Sequence, residues 1–191
     1  ENAGWQADAQ AGAASARLGA FPFAAGSADA ALVRTLEGGH TVQVSGASGG
    51  TVLVEGYDAG SGSVPRFVNL SARSRVGTGA DILIAGFYLR GAAQRLLVRA
   101  VGPGLMGFGV TGALSDPRLE ILDAAGTKVA ENDNWDPGLA AIFAERGAFA
   151  LTAGSRDAAV VVTLPGGGFT VQISGVASGT GEALVEIYEL P

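Results

Sequence analysis

The feature that most constrains this chain is an internal repeat with an offset of about 130 residues. The segment from Gly19 to Leu36 returns between Gly147 and Leu164, with the same Gly-Ala-Phe start and the same Gly-Ser-x-Asp-Ala-Ala sequence. The match continues on both sides, where residues 1–5 correspond to 131–135, 41–46 to 170–175, and 53–57 to 184–188. Any fold proposed for the chain must therefore contain this segment twice.

Between the two copies lies a stretch of different sequence, residues 65–130, which matches nothing earlier in the chain. We call this stretch the A half and residues 131–191 the B half, and together they form a complete unit, residues 65–191. Residues 1–60 are a second B half, the N-terminal half-unit, which lacks an A half of its own within these 191 residues. The sequence thus predicts about one and a half copies of one repeating unit.

Short apolar segments rich in Val, Ile and Thr and bounded by Gly or Ser predict β-strands. In Thr170–Ser174 the period is two, which places Val171 and Ile173 on one buried face. Only 7–18 and 139–146 look helical. Turn signals every 8 to 12 residues or so predict an all-β protein with a β-sandwich or jelly-roll-like architecture. The predicted strands are 67–70, 81–89, 95–101, 119–122, 127–130, 158–164, 169–174 and 183–188, with 30–36, 41–45 and 51–57 in the N-terminal half-unit.

Because the apolar positions of the two B halves match, we expect the same strand order in both. The expected equivalent core pairs are Phe21 with Phe149, Val42 with Val171, Val44 with Ile173, and Leu53 with Leu184.

Composition excludes several classes of function. The chain has no cysteine, which excludes a disulfide framework and a thiolate metal site. A net charge of −6, with Lys128 as the only lysine, argues against nucleic acid as a partner. No stretch reaches the roughly 18 apolar residues of a membrane helix, so membrane insertion is not expected. Abundant Gly, Ala, Ser and Thr fit a secreted bacterial protein in an extracellular or cell-surface location. A start at Glu1, without Met or a signal pattern, suggests a processed or excised segment.

Two groups of residues are candidates for ligand contact. Glu131, Asp133 and Asp136 provide several hard oxygen ligands within six residues, which makes them candidate ligands of a calcium site. Of the two alternatives, a calcium site and an Asx turn that starts the loop before Leu139, we favour the Asx turn. Trp5 and Trp135 hold the same place in both copies. An exposed tryptophan stacks on sugars or contacts an assembly partner, whereas a buried one fills a core.

No catalytic constellation is visible, and no cofactor is predicted. His40 is the only histidine and its counterpart is Phe169, so the position favours bulk and not a catalytic base. No Gly-x-Ser-x-Gly elbow occurs. Two acidic positions recur in both copies, which we interpret as solvated or turn-capping groups and not as a glycosidase pair: Glu55 with Glu186, and Asp29 with Asp157.

Several motifs carry a resemblance to known families: Arg75-Val76-Gly77-Thr78-Gly79, Leu83-Ile84-Ala85-Gly86-Phe87, Arg99-Ala100-Val101-Gly102-Pro103, Asn132-Asp133-Asn134-Trp135 and Ala183-Leu184-Val185-Glu186-Ile187-Tyr188. Together they resemble an uncharacterised repeat domain of large secreted multi-repeat bacterial proteins. From Leu119 onward the sequence is also similar to the bacterial pre-peptidase C-terminal domain, a small β-sandwich. These resemblances imply an extracellular binding, spacer or assembly role and no catalysis.

We therefore expect an extracellular structural or adhesive repeat protein, not an enzyme, that self-assembles head to tail into a filament by completing its open half-unit. The alternative is a carbohydrate-binding accessory module of a secreted protein. The expected partners are other copies of itself or sister repeats, and surface glycans. The half-unit would be completed by another copy, by an A half upstream in a longer precursor, or by the complete unit of its own chain.

Overall fold

The computed structural model describes residues 2–48, 50–60 and 67–191. The chain divides into two compact units, residues 1–66 and 67–191, which are described separately below. Residues 65 and 66, the first two of the predicted A half, lie outside the described residues.

The C-terminal unit is built from eight strands and one short α-helix. Seven of the eight predicted strands are found within a few residues of their expected bounds, while the first extends well beyond 67–70. The helix predicted at 139–146 is α2. The elements are β1 Asn69–Val76, β2 Leu83–Leu89, β3 Gln94–Val101, β4 Pro117–Asp123, β5 Lys128–Asn132, α2 Ala140–Arg146, β6 Ala158–Leu164, β7 Gly167–Gly175 and β8 Gly181–Leu190.

The strands form two four-stranded sheets, in the orders β1-β8-β3-β6 and β2-β7-β4-β5. The first strand pairs with the eighth, the second with the seventh, the third with the sixth and the fourth with the fifth, always antiparallel. This is the pairing of a long ribbon folded back on itself and rolled into a sandwich, the jelly-roll topology. The prediction of an all-β sandwich is confirmed.

Two apolar clusters hold this unit together. The first lies between the two sheets, where the alternating residues Phe169, Val171 and Ile173 of β7 point inward. The second covers the outer face of the β1-β8-β3-β6 sheet, where α2 and its flanking loops pack Phe143 and Trp135 against Leu97 of β3. Strands β8, β3 and β6 are therefore covered on both faces, whereas β1 is exposed up to Val76.

Each strand of the B half pairs only with strands that come from the A half. Within residues 67–191, β6 pairs with β3, β7 pairs with β2 and β4, and β8 pairs with β1 and β3. The B half is thus one limb of the folded ribbon, and its neighbours in both sheets belong to the other limb. A B half without an A half has no strand to pair with.

The N-terminal unit, which is a B half without an A half, has no strands among its described residues. The helix predicted at 7–18 is present as α1, Ala11–Leu18, and ends at Gly19 with a left-handed backbone (φ 80°). The prediction of strands at 30–36, 41–45 and 51–57 is wrong for the described residues, since none of them lies in a strand. The physical reason is that strands need hydrogen-bonded neighbours, which the A half supplies only to the other copy.

The expected core pairs differ between the copies for the same reason. Val171 is 0% exposed, whereas its counterpart Val42 is 74% exposed. Leu53, Phe21 and Val44 are likewise exposed, although they match half-buried or buried residues of the complete unit. The N-terminal unit therefore carries the apolar pattern of a sandwich limb without the covering layer.

Candidate functional site

An arginine in the middle of an apolar strand links the two halves of the complete unit. Arg99 lies on β3 between Leu97 and Val101, on the outer face of its sheet, and is 0% exposed. Its Nε atom is 3.0 Å from Oε2 of Glu186 on β8, and one terminal nitrogen donates to the carbonyl of Phe149 at 2.8 Å. Arg99 belongs to the A half, and these two partners belong to the B half.

Two aromatic rings complete the surroundings of this guanidinium. The central carbon of Arg99 lies 4.6 Å from the ring centroids of both Phe143 and Phe149. Cation–π attraction of this kind is strongest where water is excluded, as it is here. Burial lowers the pKa of Arg99, and the Glu186 carboxylate opposes that shift. Because arginine ionises so far above neutral pH, the Arg99 guanidinium remains charged.

The carboxylate of Glu186 also accepts a hydrogen bond from the Tyr188 hydroxyl at 2.7 Å. Both side chains project from β8 to the face that holds Arg99, two residues apart as the strand period requires. Burial, and then the hydrogen bond to Glu186, raise the pKa of Tyr188 far above its ordinary value. The phenol is held in its neutral form.

A second carboxylate of the B half binds the loop that follows β3. Asp157 is 0% exposed, and its Oδ1 atom accepts from the backbone N–H groups of Gly102 and Gly104 at 2.8 and 3.0 Å. Its Oδ2 atom accepts from the Ser155 hydroxyl at 2.6 Å, which in turn accepts from the indole N–H of Trp135 at 3.2 Å. The Asp157 carboxylate thus binds two backbone N–H groups of this loop and one hydroxyl of its own half.

The Gly-Pro-Gly sequence of that loop has a steric explanation. A Cβ atom on Gly102 would clash with the carbonyl oxygen of Leu114, and one on Gly104 would lie 2.9 Å from a methyl of Val101. Glycine at these two positions therefore lets the loop pack against Leu114 and Val101 while its N–H groups bind Asp157. We call the whole contact the half-unit seam, defined by Arg99, Gly102 and Gly104 from the A half and Phe149, Asp157, Glu186 and Tyr188 from the B half.

Chemically the seam is a recognition contact. Its acids are neutralised by an arginine or saturated by N–H and O–H donors, and both are buried, so neither is available to a substrate as acid, base or nucleophile. Through the seam, a strand and a loop of the A half bind two carboxylates of the B half. It is the candidate functional site because the N-terminal half-unit carries the same carboxylates without that partner.

The predicted calcium ligands have separate partners. Glu131 accepts from Lys128 and Arg118, both at 2.6 Å, and these hydrogen bonds lower the pKa of its carboxyl. Asp133 accepts from a neighbouring asparagine, and Asp136 accepts from the Gly138 N–H at 2.8 Å, as in the Asx-turn alternative. No group of three metal-ligating side chains converges in the parts of the chain that the structure describes. The calcium site stays a prediction.

The two tryptophans have different surroundings. Trp135 is 6% exposed and packs against Phe143, with ring centroids 5.3 Å apart, so it fills the outer core and cannot stack on a sugar. Trp5 is half-buried, and its indole N–H donates to the carbonyl of Ala24 at 3.3 Å. In both copies the backbone N–H of the tryptophan donates to the backbone carbonyl of the recurring aspartate, Trp5 to Asp29 and Trp135 to Asp157.

Sequence reasoning missed the seam. Glu186 and Asp157 were predicted to be solvated or turn-capping. Asp157 does accept from the backbone N–H groups of a turn, at Gly102 and Gly104, whereas Glu186 is buried next to Arg99, so the prediction is wrong for Glu186. Arg99 was not singled out at all. The signal was present, since one arginine interrupts the apolar run Leu-Leu-Val-Arg-Ala-Val and one glutamate interrupts Leu-Val-Glu-Ile. His40, by contrast, is exposed and within hydrogen-bond distance (2.9 Å) of the Glu37 carbonyl.

The raised pKa of Tyr188 gives a first test of the seam. Because its folded-state pKa lies above the unfolded value of about 10, its contribution to stability is complete below pH 10 and is lost as pH rises further. We expect the free energy of unfolding of the C-terminal unit, measured in urea, to fall above pH 10 by up to about 1.4 kcal/mol per pH unit. Tyr188→Phe should lack this slope, and Tyr88→Phe, at an exposed position, should keep it. Equal slopes in both variants would contradict the assignment.

The fold and the seam together define a class: an eight-stranded jelly-roll unit with an additional, unpaired half-unit. Among solved structures, a similar one is the pre-peptidase C-terminal domain of a collagenase from Bacillus anthracis, with 8% identity, a TM-score of 0.40, and coverage of 63% of this chain and 89% of that chain. No protein-family model and no curated protein matches the sequence. The resemblance to a repeat domain of multi-repeat proteins therefore stays a prediction.

A search of the described residues for membrane-spanning helices finds none of sufficient length and apolarity.

Proposed function

We propose that this protein is an extracellular structural or adhesive repeat protein without catalytic activity, which joins head to tail through its N-terminal half-unit. The observation that carries the proposal is the pairing of every B-half strand with A-half strands alone. The N-terminal half-unit contains such strand sequences without partners. Unpaired backbone groups next to exposed apolar side chains are a template for another chain.

The exposed apolar residues of the half-unit define the first surface of this contact, which we call the head. They include Leu36, Val42, Val44, Val52 and Leu53, all at least 48% exposed. A monomeric protein rarely leaves so many large apolar side chains of one segment in water. The head therefore gains free energy when a neighbour covers it.

The complete unit offers a complementary surface at its outermost strand, which we call the tail. Strand β1 pairs with β8 on one side, and its other side has no strand partner among residues 67–191. Its residues are exposed up to Val76, and Phe67, Val68 and Leu70 add apolar area. An extended segment of a neighbour can add to such an edge by backbone hydrogen bonds.

Charge favours this combination. Residues 2–60 contain five carboxylates and two arginines, whereas β1 contains Arg73 and Arg75 and no acidic residue. Opposite charge steers the two surfaces together, and like charge disfavours contact of two tails. Because head and tail are different surfaces, the contact is heterologous and need not close into a ring.

The test is association of the full chain, followed by light scattering and negative-stain electron microscopy over a range of concentrations. We expect filaments that are abolished by Val42→Asp with Val44→Asp in the head, and by Leu70→Asp in the tail. Each buried valine contributes roughly 1.5–3 kcal/mol, so the head variant should weaken association by well over tenfold. Met106→Asp, an equally exposed position outside both surfaces, should assemble normally.

Mixing the two assembly-deficient variants gives a sharper result. The intact tail of one should bind the intact head of the other, and the product should be a dimer that cannot grow. A chain that stays monomeric at every concentration, with residues 30–57 as protected from hydrogen exchange as 158–188, contradicts the proposal.

A carbohydrate-binding module is the second candidate, and it now depends on Trp5, because Trp135 is buried. Binding on a glycan array that disappears in Trp5→Ala would favour this function. Binding that survives the substitution, or no binding, would leave assembly as the better explanation.

A further inference from the structure

The N-terminal half-unit repeats the B-half side of the half-unit seam, residue by residue. Glu55, Tyr57, Asp29 and Phe21 occupy the positions of Glu186, Tyr188, Asp157 and Phe149, and Ser27 and Trp5 occupy those of Ser155 and Trp135. The A-half members of the seam, an arginine and a Gly-Pro-Gly loop, have no counterpart within residues 1–60. One side of a specific contact is present without the other.

The retained residues already make some of the same contacts. The Tyr57 hydroxyl donates to the Glu55 carboxylate at 3.1 Å, as Tyr188 does to Glu186. The backbone N–H of Trp5 donates to the backbone carbonyl of Asp29 at 2.6 Å, as Trp135 does to Asp157. Asp29 and Glu55, the counterparts of the two carboxylates that contact the A half in the complete unit, are exposed. Among the described residues 2–60, neither of them is paired with an arginine.

Based on this repeat of the seam, we propose that the N-terminal half-unit is an acceptor site for a free A half, whose defining feature is an arginine followed by Ala-Val-Gly-Pro-Gly. The arginine would pair with Glu55, and the N–H groups of the two glycines would donate to Asp29. This rests on the half-unit being the docking surface of the proposed function, and it names the partner that fits that surface best.

The aromatic surroundings of the arginine are kept in altered form. Counting back from Gly19 and Gly147, Ser15 takes the place of Phe143, which removes one of the two rings next to the guanidinium. Phe23 replaces Leu151 and packs against both Phe21 and Trp5, with ring centroids 5.9 and 6.0 Å apart. The half-unit thus still contains two neighbouring phenylalanine rings.

A second copy of these 191 residues can supply its A half only by giving up the A half of its own complete unit. Within the 191 residues there are one A half and two B halves, so an exchange of A halves between copies leaves the same number of B halves without a partner. Copies of this chain therefore meet through the exposed edge described above. A free A half, with strands for both sheets and an arginine for Glu55, should displace that contact.

The experiment adds one A half to the intact chain. A second copy of residues 67–130 is placed ahead of Glu1, so that Ala130 precedes Glu1-Asn2 as it precedes Glu131-Asn132 in the complete unit. We expect hydrogen exchange in residues 30–57 to slow to the rate of 158–188, and head-to-tail assembly through the head to stop. Unchanged exchange in 30–57 would overturn the proposal, with the complete unit serving as the folded reference.

A double-mutant cycle tests the arginine itself. Arg99→Met, made only in the added copy, and Glu55→Gln should each raise the unfolding equilibrium constant of the new unit, and together they should be less than additive by at least about tenfold. Additive effects would mean that the added half covers the apolar face without the proposed contact, and would overturn it. The exchange result does not depend on filaments of the 191-residue chain, so the two proposals can fail separately.

Discussion

Replacing Arg99 with alanine is expected to lower the free energy of unfolding of the C-terminal unit by about 3–5 kcal/mol. The substitution leaves Glu186, which is 6% exposed, as a buried carboxylate without its cation. It also removes the contacts of the guanidinium with Phe143 and Phe149. Urea unfolding followed by Trp135 fluorescence, in a Trp5→Phe background, measures the loss.

Arg95→Ala is the matched control for this prediction. Arg95 lies on the same strand, four residues earlier, and is exposed. Its removal should change stability by less than about 0.5 kcal/mol, the usual effect of a surface substitution. Equal effects at both positions would show that Arg99 contributes only as a strand residue and not through the seam.

The second large effect is expected for Asp157→Ala. This change leaves the buried N–H group of Gly102 and the part-buried N–H group of Gly104 without an acceptor, and the buried one alone costs roughly 1–3 kcal/mol. The expected loss is therefore at least about 1–3 kcal/mol in the same unfolding measurement. Hydrogen exchange at Gly102 and Gly104 should accelerate more than at the centre of β3, because the defect is local.

The N-terminal half-unit provides the control for the Asp157→Ala prediction. Asp29 is the equivalent residue of the N-terminal half-unit and is exposed, so Asp29→Ala should leave stability within about 0.5 kcal/mol of the parent chain. In the chain extended by a second A half, the same substitution should become as costly as Asp157→Ala. A large effect of Asp29→Ala in the parent chain would mean that its carboxylate already has a structural role there.

Much of the sandwich was predictable from sequence because strand signals are local. The alternation in Thr170–Ser174 gives both the strand and its buried face, and Gly and Ser mark its ends. The order of the strands was not predictable, since it depends on pairings such as β1 with β8, which join residues more than a hundred positions apart.

The same limit explains the two wrong predictions. Residues 41–45 have a strand sequence, but a strand also requires a neighbour, and the pattern within the segment cannot say whether one exists. Glu186 was misread because burial of a charge depends on Arg99, which approaches from a different part of the chain. Local propensity was right in both cases, and the missing information was the partner.

The jelly-roll pairing has a consequence for the order in which the protein folds. During synthesis the N-terminal half-unit emerges before the A half, and the C-terminal B half emerges after it. The upstream half-unit is therefore available to the A half before its own downstream limb exists. We expect pairing with the downstream limb to be favoured at positions where the limbs differ, such as Gly56 against Ile187 and Ser15 against Phe143, because the later limb has the larger apolar side chains there.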